Sequence, residues 1–160
     1  MKQQDAIALL KADHKTVKAL FAEAEGLSDR AKMQLKKLGD RICAELTIHE
    51  QIETDLLYRP ALERAGRDFK EERELLFESL TEQETAKHLI EELQATEAGD
   101  ETYKPKLNVL KEMVLHHATE EERELWPGLR EIFDEDELVE IGARIKAMKE
   151  RATRGASVSG

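Results

Sequence analysis

The chain has 160 residues, 38% of them charged and only 4% aromatic, with a formal net charge of −10. That balance fits a single domain of helices with wet outer faces and an aliphatic interior. The acidic surplus argues against a nucleic-acid or anionic-membrane surface, since either needs a basic patch, and no window approaches the ~20 apolar residues of a membrane span.

The start, MKQQDAIALLKADHK, has neither a sustained apolar run nor a small-residue cleavage site, so the expected compartment is the cytoplasm. From Gln3 to about Glu25, the positions Ile7, Leu10, Val17 and Phe21 follow a seven-residue apolar stripe, and its remaining member is His14. Gly26 closes that helix, and Ser28 and Asp29 are placed to cap the next. The second stripe reads Leu35, Leu38, Ile42, Leu46, His49, Glu53, Leu56, with two polar residues at core positions. Cys43, the single cysteine, lies beside this stripe as a small buried hydrophobe. Pro60 then stops or bends the helix, and ERAGRD makes a polar connection.

A third helix is predicted from near Asp68 to Thr96, with Phe77, Leu80, Glu84 and His88 on one face and Leu89, Ile90 and Leu93 broadening its apolar side. Pro105 is tolerated in the first turn of a fourth helix, which carries Leu107, Leu110, Val114, His117, Glu121 and Leu125. Trp126-Pro127-Gly128 breaks it, and residues 134–136 can cap a last short helix ending near Arg151. The expected architecture is all-α: an up-down-up-down antiparallel four-helix bundle plus a short C-terminal helix over residues 1–151, with 152–160 as a flexible tail.

Two stretches stand out because one nearly copies the other. His49 to Leu62, HEQIETDLLYRPAL, returns as His117 to Leu129, HATEEERELWPGL; each has His-x3-Glu, four residues, an aromatic (Tyr58, Trp126) and soon a proline. Residues four apart share a helix face, so each copy presents an imidazole and a carboxylate together, which is how a helix offers metal ligands. The halves of the chain repeat accordingly: a helix with one inward histidine (His14, His88), then one with His-x3-Glu.

Burying carboxylates without partners costs several kcal/mol each, so Glu53 and Glu121 at core positions call for cations. Four imidazoles and two carboxylates exceed the needs of one tetrahedral zinc and include no thiolate. Shared between two metal ions with Glu53 and Glu121 bridging, and an oxo or hydroxo bridge added, they leave a position open for dioxygen or peroxide. A ferric pair would still carry excess positive charge, for which Glu84 and Tyr58 are the additional anionic candidates. His116 with Glu120 offers a competing register, but its stripe becomes charged at Arg123, so His117 and Glu121 are the inward pair. A ferritin-like site needs Glu-x2-His and a zinc protease His-Glu-x2-His; the chain has neither.

At these residues the sequence resembles the hemerythrin-like, HHE cation-binding family, from about Ile7 to Met148. The resemblance implies a non-haem di-iron centre in an up-and-down four-helix bundle, with His14, His49, Glu53, His88, His117 and Glu121 as the matching ligands. Oxygen-carrying hemerythrins have a second histidine where Glu84 stands here, and an aspartate five residues after the last histidine. The chain is closer to the branch with His, His-x3-Glu, His, His-x3-Glu. For that branch, peroxide handling, oxygen or nitric oxide sensing and iron-linked regulation are the implied roles. The expected function is a di-iron protein reacting with dioxygen or peroxide, catalase-like in one form, with Tyr58 as its catalytic side chain; a non-catalytic oxygen, nitric oxide or iron sensor is the alternative.

Overall fold

The structure is a computed structural model that describes residues 3–159. Regular structure among these residues is entirely helical, and no helix is long and apolar enough to cross a membrane. The long helices are α1 (Ala6–Glu25), α2 (Lys32–Ile52), α4 (Lys70–Gln94), α5 (Tyr103–Glu120) and α7 (Glu135–Ser159), with the short α3 (Arg59–Arg64) and α6 (Trp126–Ile132) between them. α1 packs on α2 and α7, α2 on α4, α4 on α5, and α5 on α1.

Local chemistry sets most helix starts. Asp5 caps α1, its Oδ1 accepting the Ala8 N–H at 2.8 Å, and Asp134 Oδ1 accepts the Glu137 N–H at 2.8 Å at the head of α7. Ser28 and Asp29 do not cap α2: Ala31 holds the cap position without a side-chain bond, and Asp29 pairs with Lys104 instead. Pro105 lies in the first turn of α5, as its missing N–H requires.

Neither Pro60 nor Trp126-Pro127 ends a helix. Each follows a wide turn, Glu53–Tyr58 after α2 and Glu121–Leu125 after α5, in which backbone bonds close over five residues: Arg59 N–H to Thr54 O, Trp126 N–H to Glu121 O. Such a turn re-routes the hydrogen-bond ladder, so the prolines sit at the starts of α3 and α6, where a missing donor costs little.

The interior has two apolar clusters. One, around Ile7, Leu10, Ile52, Leu57, Leu76, Leu129 and Leu138, includes Tyr58 and Trp126; the other gathers Val17, Phe21, Leu35, Ile42, Leu46, Ile90, Leu93 and Leu110. On α1, α2, α4 and α5 a polar residue falls between the two: His14 between Leu10 and Val17, His49 between Leu46 and Ile52, Gln83 between Leu76 and Ala86, His117 between Leu110 and Leu125. Those residues form one polar layer across the molecule.

α7 is longer than the short helix expected, continuing past Arg151 to Ser159 with an Arg154–Glu150 pair at 3.4 Å one turn apart and no proline to interrupt it. Gly142 lets it seat. A Cβ there would stand 2.7 Å from the Gln4 carbonyl oxygen and 3.1 Å from the Asp5 carbonyl carbon, backbone atoms that cannot turn aside. Gly142→Ala should therefore destabilise the protein despite the ~1 kcal/mol by which alanine favours a helix over glycine, because overpacking costs ~1–3 kcal/mol. Thermal denaturation should read a fall of up to roughly 8 °C; a higher melting temperature would mean that α7 does not seat on the start of α1.

Candidate metal centre

The two wide turns explain why the aromatic of each repeat belongs to the site. In an ordinary α-helix, residues five apart diverge, but a turn closed over five residues brings them toward one face. Tyr58 Oη thus reaches Glu53 Oε2, five residues earlier, at 2.9 Å, and also contacts Glu121 Oε2 across the interior. Trp126, five residues after Glu121, donates its indole N–H to Tyr58 Oη at 3.1 Å. Glu53 and Tyr58 are fully buried, and Glu121 and Trp126 nearly so.

Around these carboxylates stand three imidazoles. His14 Nε2 lies 3.4 Å from Glu121 Oε1, His49 Nε2 3.3 Å from Glu53 Oε1 and His117 Nε2 3.3 Å from Glu121 Oε1. Ligand atoms of His14, His49, Glu53 and Glu121 all lie within 4.8 Å of one another. The indole of Trp126 stacks on His14, with ring centres 4.9 Å apart and planes inclined by 14°.

Two of the imidazoles are fixed from behind. His49 Nδ1 donates to Asp13 Oδ2 at 2.9 Å, and the other oxygen of Asp13 pairs with Lys149 on α7. His117 Nδ1 meets Glu82 Oε2 at 2.5 Å. With the δ nitrogens bound this way, the ε nitrogens turn their lone pairs toward carboxylate oxygens, an arrangement that repels unless a proton or a cation lies between. His49 Nε2, His14 Nδ1 and Glu121 Oε1 are buried with no hydrogen-bond partner. The donor set of nitrogens and carboxylate oxygens is one that iron accepts, so the residues fit the metal.

Without metal, the site shifts its protonation to compensate. Burial alone would lower the His49 pKa, but the adjacent Glu53 charge and the bond to Asp13 hold it well above the usual histidine value. Burial and the charge of Glu53 push the Glu121 carboxyl up, whereas His49 draws the equally buried Glu53 down. Tyr58 is kept a neutral phenol by burial and by the two carboxylates. Its hydroxyl has one proton for two acceptors, so one carboxyl must donate to it, and Glu121 is the one raised enough to do so.

The structure does not bring every expected ligand here. His88 and Glu84 are exposed, because α4 is turned by about one residue from the predicted face: Leu76, Ser79, Gln83, Ala86, Ile90 and Leu93 are the buried positions, and Phe77 is 53% exposed. In place of histidine, α4 offers Gln83, whose amide donates to Glu53 Oε1 at 3.0 Å and accepts from Thr54 Oγ1 at 2.8 Å, and Ser79, 3.4 Å from His117 Nε2. His116 is exposed and pairs with Glu120 at 3.1 Å, while His117 faces the cluster.

Asp13, Glu82, Gln83, Ser79 and Lys149 were absent from the sequence reading. None repeats between the halves, and only a Gln one residue before Glu84 hinted at the alternative register. Glu50 was also missed; half-buried beside His49, its carboxyl is pushed up to about 8 by burial and by Glu53.

Comparison with known proteins agrees with this geometry. Residues 5–129 match the model of the hemerythrin HHE cation binding domain. The crystal structure of a hemerythrin HHE cation binding domain-containing protein from Mycobacterium kansasii superposes with a TM-score of 0.78 at 28% identity, covering 98% of this chain and 91% of that one. A DNA nickase of Nostoc sp. (strain PCC 7120 / SAG 25.82 / UTEX 2576) is 26% identical over 151 residues, and the chain spans only 40% of that protein's length. With a buried His–Glu cluster at its centre and the family's pattern over most of its length, the chain belongs to the hemerythrin HHE cation-binding family.

Proposed function

We propose that this protein holds two iron ions in an up-and-down bundle and acts on peroxide or dioxygen. The observation that carries this reading is the convergence of three imidazole ε nitrogens on buried carboxylate oxygens, with His49 Nε2 and Glu121 Oε1 left without a hydrogen-bond partner. His14, His49 and His117 would supply the nitrogens and Glu53 and Glu121 the oxygens, with two His–Glu pairs for two ions. Bound iron supplies a Lewis-acidic, redox-active centre for a small oxygen ligand.

The chain's own groups have separable tasks. Asp13 and Glu82 fix two imidazoles with their ε nitrogens turned inward. Tyr58 keeps a proton at Oη, held in place by Trp126 and poised between two carboxylates for transfer to a bound ligand. Ile52, Leu57 and Leu125, buried in the same apolar cluster as Tyr58 and Trp126, keep water from that side of the site. Nucleic acid has no part in the proposal, because a formal net charge of −10 repels a phosphate backbone.

Metal analysis of protein from iron-fed cells should find close to two irons per chain. His49→Ala and His117→Ala should each remove most of it, while His88→Ala, Glu84→Ala and His116→Ala retain it. A stoichiometry near one, zinc in iron-replete cells, or equal losses in all five variants would overturn the reading.

Asp13→Ala should keep the fold but weaken iron binding by roughly 10–100-fold, the usual cost of removing a group that orients a metal-bound histidine. Competition with a chelator measures this, and unchanged affinity would leave His49 independent of Asp13.

Tyr58→Phe should retain iron and lower peroxide consumption by at least ~100-fold, the scale of a positioned proton donor. A visible absorption band lost in this variant would make Tyr58 a phenolate ligand instead. Iron-loaded protein that consumes no peroxide, but whose spectrum changes reversibly with oxygen or nitric oxide, would replace the enzyme reading with a sensor.

A further inference from the structure

Beside the His–Glu cluster lies a cavity of about 220 Å³, larger than a two-oxygen ligand needs. Water occupies ~30 Å³ per molecule in the liquid, and an apolar cavity of ~150 Å³ takes up benzene. Away from the cluster the wall is mostly apolar and drawn from all four surrounding helices, Val17 of α1, Leu46 of α2, Ala86 of α4, and Met113 and Val114 of α5, with half-buried Glu50 and exposed Thr85 and His116 completing the lining. Val17, Leu46 and Ala86 are buried, whereas Met113 and Val114 are half-buried, so the apolar wall runs out to the surface beside α5.

Such a space is costly to keep. A void lined by aliphatic side chains loses their packing contacts. Water gains little against these five side chains, because a buried water needs two to four polar partners and none of the five carries a hydrogen-bonding polar group. Hydrogen peroxide or dioxygen would engage the cluster and leave the wall uncovered. An apolar pocket with polar groups gathered at one end is the ordinary form of a site for an amphipathic small molecule.

We propose that the preferred ligand is an organic hydroperoxide, with its oxygen-bearing head at the His–Glu cluster and an apolar body of about six to ten carbons against Val17, Leu46, Ala86, Met113 and Val114. This inference rests on the peroxide reading above and names its substrate class. The body's burial supplies binding that a bare peroxide cannot obtain, and the same wall disfavours a charged or strongly hydrated substituent.

Calorimetric titration with 2-phenyl-2-propanol, the unreactive alcohol that matches an aryl hydroperoxide in shape, tests this in iron-loaded protein of measured iron content. It should bind at least tenfold more tightly than tert-butanol, whose body is too small to cover the wall. Ala86→Leu, which fills the cavity from α4, should weaken it at least tenfold with iron content unchanged, and Val114→Phe should do the same from α5. Equal affinity for the two alcohols, or undiminished binding in the variants that fold and load iron, would overturn the proposal. Protein that takes up no iron would overturn the function proposed above, and titration of that metal-free protein with the same two alcohols would still decide whether the cavity accepts an apolar body.

Discussion

Two carboxylates forced together inside an apolar bundle are what the surrounding structure must accommodate. Glu53 and Glu121 approach one another through the hydroxyl of Tyr58, and neither has access to water. Like charges at that separation cannot both persist in a low dielectric without compensation. Every polar residue in the layer answers this constraint. Gln83 and Tyr58 donate to Glu53, Glu121 shares the Tyr58 oxygen, three imidazoles face the pair, and Asp13 and Glu82 in turn hold two of the imidazoles. Removing a cation from such a set leaves protons to do the same work, which is why the metal-free pKa shifts on Glu121 and His49 are both upward.

The wide turns connect this electrostatic problem to the backbone. A regular helix would carry Tyr58 and Trp126 away from the glutamates five residues before them, and the carboxylates would lose the hydroxyl they share. Local rearrangement of the ladder corrects the phase and at the same time accommodates a proline directly afterwards. The two copies are not equivalent, however. The Tyr58 copy supplies an oxygen that touches both carboxylates, whereas the Trp126 copy supplies an indole that donates to that oxygen and stacks on His14. A sequence repeat has thus become one composite device, with one member that touches both carboxylates and one that supports it.

Much of this was legible beforehand, and the reasons for success and failure differ by helix. On α1, α2 and α5 a histidine interrupts a clean apolar stripe, so its inward direction follows from periodicity alone. α4 has aliphatic residues on more than one face, including Leu75, Leu76, Leu80 and Leu89, and the register that carried His88 and Glu84 was as apolar as the one the fold uses. The choice fell to Gln83, whose value lies in a hydrogen bond to Glu53 that no single-helix pattern reveals. Pro60 and Pro127 misled for a related reason: reading each as a helix breaker assumes an ordinary turn before it. Asp13 could not be seen as a partner of His49, 36 positions away on another helix, nor Lys149 as a partner of Asp13, 136 positions away through the packing of α7.

The polar layer also divides the interior mechanically. Each apolar cluster is large enough to hold its own ends of the helices together, and between them lies a plane where hydrophobic contact is interrupted by groups that attract only when correctly charged. Cohesion across that plane is therefore electrostatic and adjustable, while cohesion on either side of it is fixed by packing. A change in the charge of the layer would therefore alter the contacts between helices at that plane while leaving the packing on either side of it in place.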